Sequence, residues 1–217
     1  MALNKTLLSN SIYQAFIRMN EMGKSNIGFS EGNTYAANQI ASALDTYLKS
    51  AQISSSSDLG TYSGYTYTGS STGTGININV TSLTTRLASH FMADDLNDNK
   101  IADYIANDIN FAIENAIINV TSSGKYVIPG NPPQILPGTG NGSGSFTGIP
   151  SILSTDLKRM FATMLERAKN ADENYNGNRE FANCLADSID RYIKQPGCLI
   201  LNYTGPLLYC ISNGAIV

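Results

Sequence analysis

Asn38-Gln39-Ile40-Ala41-Ser42-Ala43-Leu44-Asp45-Thr46-Tyr47-Leu48-Lys49 decides how this 217-residue chain is read, because the pattern occurs three times in varied form. The second version is Asp103-Tyr104-Ile105-Ala106-Asn107-Asp108-Ile109-Asn110-Phe111-Ala112-Ile113-Glu114, and the third is Asn183-Cys184-Leu185-Ala186-Asp187-Ser188-Ile189-Asp190-Arg191-Tyr192-Ile193-Lys194. Each puts a branched apolar residue at i, i+4 and i+8: Ile40, Leu44 and Leu48; Ile105, Ile109 and Ile113; Leu185, Ile189 and Ile193. An alanine follows the first of these in every version. That spacing lays one apolar stripe along an amphipathic helix.

Working outward, each of these helices is preceded by another with its own signature, an apolar residue four before a phenylalanine: Ile12/Phe16, Leu87/Phe91 and Leu157/Phe161. After the second helix comes a short apolar run, and after the first two of these a glycine-rich excursion. The spacing predicts helices over 6–22, 35–50, 100–115, 155–169 and 179–194, with a further helical stripe at Leu83, Leu87 and Phe91. Residues 23–33 and 94–99 read as loops. Short strands are expected at 51–53, at 76–80 and around Ile117, Ile118 and Val120, with a hairpin of 199–203 and 207–211 across Thr204-Gly205-Pro206. The fold class is therefore α+β, three imperfect repeats of a helix pair followed by short strands and Gly-rich arms. The units are 1–82, 83–151 and 152–217, the last closing on the C-terminal hairpin.

Composition narrows the function classes. Charged residues make up 14% of the chain, against about 25% in an ordinary soluble domain. Asn, Ser, Thr, Gly and Tyr supply the polarity instead, with 19 Gly and 12 Tyr. Such a surface costs less to desolvate than a charged one and suits permanent protein contacts. The net charge of −3, with scattered basic residues, argues against a nucleic-acid scaffold. No charged segment leads into an apolar one at the N-terminus, so no signal peptide is expected, and no run is long and apolar enough for a membrane span. Cys184, Cys198 and Cys210 form no CxxC pair. Cys184 reads as a small core residue. Cys198 and Cys210 flank the hairpin and could face each other, but free thiols are expected without an export signal.

The candidate chemistry is thin. Asp95-Leu96-Asn97-Asp98-Asn99-Lys100 spaces oxygen ligands like an EF-hand loop, but Lys100 replaces the required glycine and Ala106 the bidentate glutamate; Asn97 or Asp98 reads better as a helix cap. The glycine stretches lack the Gly-Lys-Ser/Thr signature of a phosphate loop. His90 is the only histidine and has no adjacent Cys or Ser motif to activate. Asp94/Asp95 and Asp172/Glu173 read as solvated loop carboxylates. Asn79 and Asn119, each opening Asn-Val-Thr-Ser, read as strand exits. No catalytic, cofactor or metal residues are assigned, and no cofactor is expected.

The stripe Ile40-Ala41-Ser42-Ala43-Leu44-Asp45-Thr46-Tyr47-Leu48-Lys49 and the stretch Gly73-Thr74-Gly75, with echoes at Leu185–Lys194 and Gly138–Gly144, resemble small virion structural proteins of tailed bacteriophages. The resemblance implies a non-enzymatic building block of a neck, tail or baseplate. It implies protein subunits as partners, copies of the chain included, a place in the virion, and no nucleic-acid or membrane contact. A second reading is an adhesive or ligand-binding module gripping its target with the Tyr-rich arm; a third is an enzyme with an unrecognised site. The arms, 54–75 and 129–148, carry Tyr62, Tyr65, Tyr67, Ile135 and Leu136. These five large side chains are expected to make the subunit contacts, since ordering a Gly-rich arm requires burial to offset its entropy.

Overall fold

Four asparagines start four of the helices in the same way. The side chains of Asn4, Asn79, Asn97 and Asn176 accept from the backbone N–H three residues on, at 2.9 to 3.0 Å. Each satisfies a donor that the first helical turn leaves orphaned. The helices are α1 (Lys5–Lys24), α2 (Phe29–Lys49), α3 (Val80–Phe91), α4 (Asp98–Glu114), α5 (Pro150–Lys169) and α6 (Gly177–Ile193). The strands are β1 (Gln52–Tyr62), β2 (Tyr65–Asn77), β3 (Ile117–Ile128), β4 (Gln134–Phe146), β5 (Leu199–Gly205) and β6 (Leu208–Ile216). The computed structural model describes residues 3–25, 28–62, 65–93, 97–170, 176–205 and 208–216. Among these the chain is α+β, and the order helix, helix, strand, strand occurs three times.

All strands pair antiparallel with their chain neighbours, and β6 returns to β1, closing a six-stranded barrel without a free edge. The helices follow the same circuit. Each packs on the next in chain order, and α6 packs on α1. Inside this ring, the Tyr47 hydroxyl on α2 donates to Asp190 on α6, and that of Tyr192 on α6 donates to Asn110 on α4. Bonds of that reach place α2, α4 and α6 around one axis. Each of these three helices runs directly into an odd-numbered strand, so ring and barrel are stacked end to end. Ile40, Leu44, Ile105, Ile109, Leu185 and Ile189 are buried, and one apolar cluster continues from them to Ile53, Ile76, Ile118, Phe146 and Leu199 in the barrel.

A six-stranded barrel encloses little room, and this explains the glycines. Along β4 the even positions from Gly138 to Phe146 alternate with exposed ones and point inward, and four of those five are glycine. A Cβ on Gly142 would sit 2.5 Å from the Tyr203 ring and from the carbonyl of Asn202; one on Gly144 would sit 2.7 Å from Ile118. The glycines cede volume to large side chains on β3 and β5. Gly75, at φ +80, sits at the β2 bulge where the register against β3 shifts.

Several expectations are corrected here. The excursions 54–75 and 129–148 are largely barrel strands rather than arms, and the strands are long rather than short. Tyr67 is fully buried in the barrel, its hydroxyl 3.0 Å from that of Ser122, so it cannot meet a neighbour. Helix α2 begins at Phe29, inside the expected loop. Val80 opens α3, and Asn79, just past the end of β2, is its cap; Asn119 lies within β3 opposite Ser143 and is no strand exit. Cys210 pairs with Tyr203 while Leu199 pairs with Gly214. Cys198 thus lies about five residues along the hairpin from Cys210, roughly 16 Å at strand rise, beyond disulfide reach. Cys184 and Cys198 are free thiols. Cys184 is only partly buried. Asp94, Asp95, Asp172, Glu173 and the side chain of Tyr62 lie outside the described residues.

Candidate functional site

Three clusters hold the chemistry-bearing side chains. The first joins α3 to α4. Asp108 is completely buried and accepts from Arg86 Nε at 2.9 Å through one oxygen, while its other oxygen lies 2.7 Å from His90 Nδ1. The His90 ring stacks on Tyr104 at 4.1 Å, and the Arg86 guanidinium lies over Phe111 at 4.3 Å. Residues 86 and 90 stand one turn apart on α3, so both reach the same carboxylate. A nucleophilic mechanism needs a hydroxyl or thiol bonded to the outer imidazole nitrogen; no such bond occurs among the described residues. The cluster works as a polar staple between two helices. The Asp108 partner was invisible in sequence, because eighteen positions and a helix turn separate it from His90.

The second cluster is the polar middle of the barrel. Asp58, also fully buried, accepts through Oδ2 from Ser71 and from Ser122, the latter at 2.5 Å. Burial pushes its pKa up, but the hydroxyls of Ser122, Ser71, Ser212 and Ser55 outweigh that and hold the carboxyl below its ordinary value. Ser122 also meets Tyr67, whose ring packs on Tyr126 at 5.3 Å. Among the described residues no group of three or more His, Cys, Asp or Glu comes together to hold a metal ion.

The third consists of surfaces at the two ends of the stack. At the helix end, Phe16, Phe91, Phe161 and Phe181 converge with Met19, Ala36, Ile101 and Ile105 around a cavity of about 200 Å³. All three helix pairs contribute, so the cavity lies on the common axis. Ala36, Ile101 and Phe181 each stand four before the first branched residue of a stripe, and alanine is the smallest of the three. Phe29 extends the apolar surface outward and is 77% exposed. At the barrel end, Ile135 and Leu136 are 60% and 47% exposed on β4, and Leu59 is exposed on β1. Tyr65 is half-buried. Of the five expected contact residues, then, Ile135 and Leu136 are exposed, Tyr65 is partly so, and Tyr67 is inside.

The wall between these ends is nearly uncharged. Of the chain's 14 basic and 17 acidic residues, only Lys125 and the buried Asp58 fall within the six strands. Outward-facing Thr72, Thr74, Asn119, Thr121 and Asn141 on β2, β3 and β4 line a shallow depression of about 550 Å³. No helix among the described residues is long and apolar enough to cross a membrane. No protein-family model matches the sequence, and no curated protein or solved structure matches it significantly.

Proposed function

We propose that this protein is a non-enzymatic structural component of a large protein assembly, of the kind that builds the neck, tail or baseplate of a tailed-phage virion. Its partners are protein subunits, copies of itself among them. The observation that carries this reading is the segregation of charge. The helix ring bears nearly every charged side chain, while the barrel presents hydroxyl, amide and aliphatic groups. A surface selected only for solubility in isolation mixes charges of both signs over all its faces. A charge-poor wall is inexpensive to desolvate and is suited to burial against a neighbour. The Tyr-rich stretch offers less to an adhesive reading, because Tyr67 turns inward.

We also read the threefold recurrence of helix pair and hairpin as an internal triplication. Tyr47–Asp190 and Tyr192–Asn110 support it, since 45, 110 and 190 are equivalent positions, as are 47, 112 and 192. Ala112 stands where the third tyrosine belongs, and Oδ1 of the buried Asp45 has no hydrogen-bond partner.

The assembly reading is tested in cells that make the protein. The chain should co-sediment with particles far larger than 23.3 kDa and stay with them through a high-salt wash, and gold-labelled antibody should decorate those particles at a fixed place. A chain found only in the slowest-sedimenting soluble fraction would overturn the proposal.

A further inference from the structure

We infer that copies of this chain stack head to tail, the barrel tip of one entering the aromatic mouth of the helix ring of the next. The inference rests on the assembly reading and names the surfaces it uses. The strands of each hairpin run away from the helices and back, so the β3–β4 turn and the far ends of the helices, where α2, α4 and α6 begin, lie at opposite ends of one axis. One end is concave and apolar: Phe16, Phe91, Phe161 and Phe181 around a cavity of about 200 Å³. The other is convex and apolar, with Ile135 and Leu136 exposed where β4 begins. A cavity of about 150 Å³ accommodates benzene, so this one has room for a branched aliphatic side chain.

The polar parts match too. The β3–β4 turn is Pro129-Gly130-Asn131-Pro132-Pro133, whose three prolines carry no N–H and leave carbonyl acceptors at the tip. The facing end of the ring carries donors, Lys24 in the last turn of α1 and Lys169 in the last turn of α5. Unlike surfaces at opposite ends make a heterologous contact, which propagates as a column or closes as a ring and does not stop at a dimer. The small Ala36 keeps the mouth open, where the equivalent Phe181 would fill it.

The experiment mixes two blocked variants of the full chain in sedimentation velocity over a wide concentration range. One carries Ala36→Phe, or Met19→Arg at the rim should the first fail to fold; circular dichroism establishes folding. The other carries Ile135→Asp with Leu136→Asp, both at exposed sites. Wild type should form species that grow with concentration, and each folded variant alone should lose at least tenfold in association. An equimolar mixture should form a species of twice the chain mass and nothing larger, because one variant keeps a tip and the other a mouth. A mouth-blocked variant that still self-associates would overturn the inference, and so would a mixture that stays monomeric. Wild type monomeric at every concentration would overturn it as well, while particle co-sedimentation would still decide the assembly reading separately.

Discussion

Substitution of Gly142 by alanine separates a packed barrel strand from a flexible glycine-rich arm, because the two give opposite signs. In a mobile arm the added methyl meets nothing and restricts the unfolded chain, so stability is unchanged or rises by about 0.4–1 kcal/mol. In the barrel, the new Cβ lies 2.5 Å from both the Asn202 carbonyl oxygen and the Tyr203 ring. Tyr203 is 1% exposed and the carbonyl belongs to the paired strand β5, so neither neighbour can move freely. Overpacking of this kind costs roughly 1–3 kcal/mol. The entropic gain offsets part of it, leaving a net loss of about 1–2 kcal/mol. Gly23 in α1 is the control: nothing lies within 4 Å of its built Cβ, and alanine there should stabilise by about 0.5–1 kcal/mol. Urea unfolding measures both, with the slope checked for constancy so that midpoint shifts report stability. A Gly142→Ala midpoint at or above wild type would refute the packing argument.

Further outcomes follow from the same geometry. Leu44→Ala, Ile109→Ala and Ile189→Ala, all at fully buried positions on the three stripes, should each cost about 2–5 kcal/mol in urea unfolding. The folded-state pKa of Asp58 is lowered, so its contribution is complete above the unfolded value and is lost as pH falls below about 4. Accordingly, the stability gap between wild type and Asp58→Asn, measured from pH 7 to pH 2.5, should shrink toward acid. Cys184 and Cys198 are free. Thiol titration of unfolded, unreduced monomer should find three, and in the native protein Cys184 should react before the buried Cys198.

The helices are legible in the sequence because Ile40, Leu44, Leu48 and their counterparts repeat at helical spacing with little interruption. The barrel is not, and the reason is its narrowness. A wide sheet announces itself by large apolar residues at alternate positions. Here the inward positions of β4 include Gly138, Gly142 and Gly144, and those of β1–β3 include Ser55, Ser71 and Ser122, so strands look like linkers. Ser71 and Ser122 pair with one buried carboxylate inside the barrel, an arrangement that no local pattern reveals. Deleting 60–72 would therefore cut away the end of β1 and more than half of β2 and open the barrel, rather than trim a dispensable arm. Ile135 and Leu136 stood out in sequence as large side chains among small ones, and they are exposed. The axial mouth escaped notice because its phenylalanines come from three helix pairs. The clue was present in the recurring phenylalanine four after an apolar residue, at 16, 91 and 161.

Sedimentation velocity of the purified chain at low and at about 1 M salt tests most directly the claim that copies of the chain associate through a charge-poor barrel. Contacts made by a charge-poor barrel gain little from ion pairing, so added salt should not dissolve them, whereas at 1 M the Debye length is about 3 Å and exposed charges farther apart than that are largely screened. The account predicts species heavier than 23.3 kDa whose proportion rises with protein concentration and is unchanged or increased in high salt. A single 23.3 kDa species under both conditions, or association that vanishes in salt, would contradict it.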